Sequence, residues 1–100
     1  MLTKEFVLGE IEKVADVIKG YGVRRIGVFG SVVRGTSRED SDLDILVEFS
    51  EEKESADNYF GLKFFLEDLF GKKVDLVTAE TIKPRLKSYI LSEVEYVSGF

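Results

Sequence analysis

Neither cysteine nor histidine occurs anywhere in the 100 residues of this chain. Without cysteine there are no disulfides, no thiolate nucleophile and no cysteine zinc site. Without histidine there is no imidazole base, no imidazole metal ligand and no Ser-His-Asp triad. Any metal must therefore be held by oxygen, which selects hard cations such as Mg²⁺, Mn²⁺ or Ca²⁺. Long apolar runs are also missing. None approaches the roughly 20 residues of a membrane span, and Met1–Glu5 has no signal-peptide core. These absences make the cytoplasm the expected location. Positive charge is in deficit too: 14 Lys and Arg face 19 Asp and Glu, a formal net charge of −5. Such a balance speaks against general binding of nucleic acid or an acidic membrane.

Apolar residues make up 44% of the chain, with eight Phe and four Tyr. This is enough for one packed core, and residues 1–100 are expected to form a single domain.

Residues 4 to 19 predict a helix, with Phe6, Val7, Ile11, Val14, Ala15 and Ile18 at helical spacing and Thr3 as its N-cap. Gly20-Tyr21-Gly22 should end it. Residues 24–29 predict a strand, Ser31–Arg34 a single helical turn, and Asp42–Phe49 a second strand. A charged connection over 50–57 leads to a helix over 58–70. Its apolar residues cover so much of the circumference that burial on more than one side, or a partner, is expected. Tyr59 and Phe60 are the candidates to face that partner. Gly71 closes the helix and a third strand follows over 73–78. Pro84 suits the first turn of a last helix over 83–92, with Leu86, Tyr89 and Ile90 on its buried face. An edge strand could occupy 94–97. The order gives a small α/β or α+β sandwich.

Chemistry concentrates in Val28–Val47, which reads VFGSVVRGTSREDSDLDILV. Gly30 permits a tight turn and a close backbone approach, and Ser31 opens the next helical turn with a hydroxyl and exposed amides suited to phosphate oxygens. An ordinary turn with a capping Ser would look the same. Asp42 and Asp44 share one face if both lie on the strand. Their mutual repulsion is relieved by a cation between them; a solvated strand face is the alternative. Asp75 interrupts the apolar strand Lys73-Val74-Asp75-Leu76-Val77. There a carboxylate is costly unless paired, metal-bound or exposed on a one-sided sheet. Arg34, three residues past Ser31, could clasp a phosphate or pair with Glu39 or Asp40.

Together these residues resemble the DNA polymerase beta-like nucleotidyltransferase superfamily, and within it the minimal nucleotidyltransferase (MNT) domain. The shared signature is Gly-Ser, ten residues, then Asp-x-Asp, here Gly30-Ser31 and Asp42-Leu43-Asp44. The stretch Ser31–Gly35 and the step Ser41-Asp42 match the minimal group as well. The resemblance implies a small mixed sheet with helices packed on one face. It also implies two Mg²⁺ ions, with Mn²⁺ an alternative, held by Asp42, Asp44 and Asp75. Gly30, Ser31 and Arg34 would take the phosphates of ATP or another nucleoside triphosphate. The implied reaction is transfer of AMP to a hydroxyl, with a tyrosine of a HEPN-domain toxin as acceptor and this chain as its antitoxin. Two other readings stand beside it: a non-catalytic antitoxin that inhibits by forming a complex, and transfer to a small-molecule hydroxyl in a pocket that a homodimer could build.

Overall fold

In the computed structural model, which describes residues 2–100, the first helical region is two helices. These are α1 (Lys4–Lys13) and α2 (Ala15–Lys19), separated at Val14, whose φ of −112° and ψ of 23° leave the helical region. Thr3 caps α1 as expected, its Oγ1 accepting the Phe6 amide at 3.1 Å. The break lets both pieces bury apolar residues, Val7 and Ile11 from α1 and Ile18 from α2, where one straight helix would leave the sheet.

The chain continues through β1 (Val23–Phe29), the four-residue α3 (Ser31–Arg34), β2 (Leu43–Phe49), α4 (Ala56–Phe70) and β3 (Val74–Thr78). A 3₁₀ turn at Ala79–Thr81, α5 (Pro84–Glu93) and the short β4 (Glu95–Tyr96) complete it. The sheet is mixed, in the order β3-β2-β1-β4. β1 runs antiparallel to β2 and β4, and β2 parallel to β3. A parallel pair needs a crossover, and α4 supplies it. Ser55 caps α4 by accepting the Asn58 amide, and Gly71 ends it in the left-handed conformation, φ 66°.

Strand alternation divides the sheet into two unlike faces. On one, Val28, Leu43, Ile45 and Val47 meet Ile11 of α1 and Leu62 and Leu66 of α4, all fully buried. On the other, a smaller cluster of Phe29, Leu46 and Ile82 is covered by Ile90 and Val94.

Three expectations need correction. Asp42 lies one residue before β2 rather than on it. Of the two α4 residues expected to face a partner, Tyr59 is instead partly buried, its hydroxyl donating to the Leu76 carbonyl, while Phe60, and Phe64 with it, is exposed as that alternative requires. On α5, Ile90 packs inward but Leu86 and Tyr89 are exposed. Only the stripe of a helix that faces the sheet is covered, so the apolar side chains beside that stripe stay in water.

Candidate active site

The candidate residues gather at one end of the sheet, on the face with the smaller cluster. β1 ends in Phe29, and the chain turns through Gly30 with φ 78° and ψ −150°, a conformation open in practice only to glycine. A Cβ on Gly30 would collide with Asp44 Oδ2. The carboxylate of Asp44 therefore packs directly over the Gly30 backbone, and no other residue fits there. Gly30, not Ser31, is the N-cap of α3, and no side chain caps that turn. The Ser31 hydroxyl is thus not spent on capping.

β2 pairs with both neighbours at this level. Asp44 stands opposite Phe29 across β1 and opposite Asp75 across β3. Two carboxylates are thereby placed side by side on adjacent strands. Asp75 is exposed, Asp44 half-buried and Asp42 exposed in the approach to β2. Burial and the charges of Asp75 and Asp42, partly offset by Arg34, raise the Asp44 carboxyl from its ordinary 3.8 to about 6.

An all-oxygen set of this kind suits a hard divalent cation. Among the described residues, no three acidic side chains already close into a metal cage. Mg²⁺ is commonly held by one or two carboxylates with substrate phosphates completing its octahedron, a need that Asp44 and Asp75, paired across β2 and β3, suit.

Arg34 pairs neither with Glu39 nor with Asp40. Its Nη1 donates to both Glu93 oxygens at 3.0 Å and approaches the Tyr89 hydroxyl at 3.3 Å. The same Glu93 accepts the Gly30 amide at 2.5 Å. Sequence reasoning missed Glu93 altogether. It lies 63 residues from Gly30, and its one local oddity is an acidic side chain at the C-terminal end of a helix.

The Nucleotidyltransferase domain family matches residues 11–97. The protein adenylyltransferase MntA of Thermococcus cleftensis is 46% identical over 102 residues, spanning 97% of this chain and 98% of that one. A solved structure of the minimal nucleotidyltransferase kind superposes with a TM-score of 0.80 at 39% identity, over 94% of this chain and 95% of the other. A toxin–antitoxin structure with AMP-PNP shares the fold, with a TM-score of 0.72 at 22% identity over 91% of this chain and 73% of that one.

Proposed function

The chain belongs to the nucleotidyltransferase domain family, and from that premise we propose that it is a protein adenylyltransferase. It transfers AMP from ATP to a hydroxyl, a tyrosine of a HEPN-domain toxin, and so acts as the antitoxin. Its relatives support this reading. The Thermococcus relative is named a protein adenylyltransferase, and a structure of the same fold holds a tri-AMPylated HEPN toxin with an MNT antitoxin.

One observation carries the chemistry. The Asp44 carboxylate lies over the Gly30 backbone and in register with Asp75. A phosphate-binding turn and two strand carboxylates are thus locked to one another by the β1-β2-β3 pairing.

Each residue then has a role. The Gly30 and Ser31 amides and the Ser31 hydroxyl hold the terminal phosphates of ATP, and Arg34 neutralises one of their oxygens. Asp42, Asp44 and Asp75 hold the divalent cations, two Mg²⁺ by the family pattern. When bound, these ions offset phosphate charge and favour in-line displacement. Asp75, on the strand away from the Gly-Ser turn, faces the acceptor side and takes up the proton of the attacking hydroxyl. The acceptor oxygen bonds to the α-phosphorus, the bond to the β-phosphate oxygen breaks, and pyrophosphate leaves on the Gly30-Ser31 side. Sheet pairing does the positioning, so little rearrangement of the carboxylates is required.

The test is the intact mass of a HEPN-domain partner after incubation with this chain, ATP and Mg²⁺. Stepwise addition of AMP, absent with Asp42→Asn, is the expected result. A stable complex that silences the partner with no change in mass would replace the transferase with a binding module.

A further inference from the structure

Glu93 is the one acidic residue at the site for which the proposed reaction has no use. Its side chain is only 11% exposed. One oxygen accepts the Gly30 amide, and both accept from Arg34. Those two donors are the ones assigned above to the triphosphate. A carboxylate oxygen and a phosphate oxygen make the same charge-assisted hydrogen bonds to an amide and a guanidinium, so the two ligands exclude each other.

Helix energetics do not explain this placement. Glu93 is the last residue of α5, where the helix dipole disfavours negative charge, and no basic residue lies in that turn. It also adds a negative charge beside Asp44 and its acidic neighbours. Its partners therefore come from the site and not from its own helix. α5 is lightly held as well. None of its residues is buried, and Ile90, with Val94 just beyond the helix, anchors it to the Phe29, Leu46 and Ile82 cluster. A turn of the Glu93 side chain, or a small shift of the last helical turn, frees both donors.

We infer that Glu93 is a built-in competitor of the nucleotide: it occupies the Gly30 amide and the Arg34 guanidinium until polyphosphate oxygens displace it, and thereby sets the affinity of the chain for triphosphate. This inference rests on the reading of Gly30 and Arg34 as phosphate ligands. Occupancy of the site by Glu93 reduces apparent affinity by the fraction of molecules left open, and removing the charge restores it.

The experiment is calorimetric titration of the full chain with inorganic triphosphate and with ATP, each with Mg²⁺. Glu93→Gln keeps an oxygen for the Gly30 amide but loses the charge that holds Arg34. It is expected to bind both ligands about five- to tenfold more tightly. Glu93→Asp, one methylene short of the two donors, shifts affinity in the same direction and serves if the first variant fails to give a cooperative melt. Unchanged or weaker binding by the variants, with the unmodified chain binding normally, overturns the inference; weaker binding would make Glu93 a positioning residue for Arg34. Absence of binding by all three proteins overturns the phosphate-site reading together with the inference.

Discussion

Asp44 and Glu48 sit four residues apart on the same face of β2, yet their surroundings are opposite. Glu48 is nearly buried, which by itself would raise its carboxyl. Hydrogen bonds from Arg25 and Arg24 outweigh that burial and hold it below its ordinary value. Asp44 is raised to about 6 by burial and by Asp75 and Asp42, and Arg34 offsets only part of this. Arg34 is itself taken by Glu93. One carboxylate has been neutralised by the protein and belongs to the fold. The other has like charges for neighbours, a setting that the proposed cation would relieve. Two acids on one face of a strand can thus be shifted in opposite directions by the charge of the adjacent side chains.

The largest effect that would break this contrast is expected from Asp44→Asn. Transfer to a protein acceptor should fall at least about a thousandfold, roughly 4 kcal/mol in the barrier. The metal-free fold, relieved of repulsion, should be no less stable. Mass spectrometry of the acceptor and a denaturant melt of the same preparation check both halves. A strong loss of stability would place Asp44 with Glu48 as a structural acid.

Glu48→Gln should do the reverse, costing about 2 kcal/mol in a urea melt because two guanidiniums lose their charged partner. The same melt applied to Ile45→Ala, on the fully apolar face, should show about 3 kcal/mol.

A smaller effect follows from pH. Asp44 has a folded-state value above its unfolded one, so its proton favours the fold below about pH 4, and this contribution is lost as pH rises through about 6. With allowance for solvent screening, the loss is about 1–2 kcal/mol. It should appear as the difference between the unmodified chain and Asp44→Asn melted at pH 4 and pH 7.5 without divalent cations. Millimolar Mg²⁺ at pH 7.5 should recover stability in the unmodified chain more than in Asp44→Asn. A difference that does not change with pH would sink the assignment.

The smallest effect belongs to Arg24→Ala. Its side chain is 64% exposed, and Glu48 keeps Arg25, which also stacks at 4.1 Å on the Tyr96 ring. About 0.5 kcal/mol is expected in the melt, with Arg25→Ala costing more.

Much of this arrangement was legible in the residues alone, because short-range rules govern it. Thr3 and Pro84 begin their helices, and Gly71 ends α4. Local steric and hydrogen-bonding preferences suffice for those. The Gly30-Ser31 turn and the ten-residue spacing to Asp42 and Asp44 also lie within one stretch of chain. Tertiary structure decided the remainder. Asp75 meets Asp44 only through the parallel register of β2 and β3, set by packing of Ile45 and Leu76 beneath α4. The division at Val14 accompanies burial of Val7 and Ile11 from one piece and Ile18 from the other, and the exposure of Phe64 and Leu86 follows the narrow stripe a sheet can shield. The choice of Glu93 over Glu39 or Asp40 as the partner of Arg34 was equally out of reach. An ion pair goes to whichever carboxylate the fold brings within hydrogen-bonding distance, and separation along the chain carries no information about that distance.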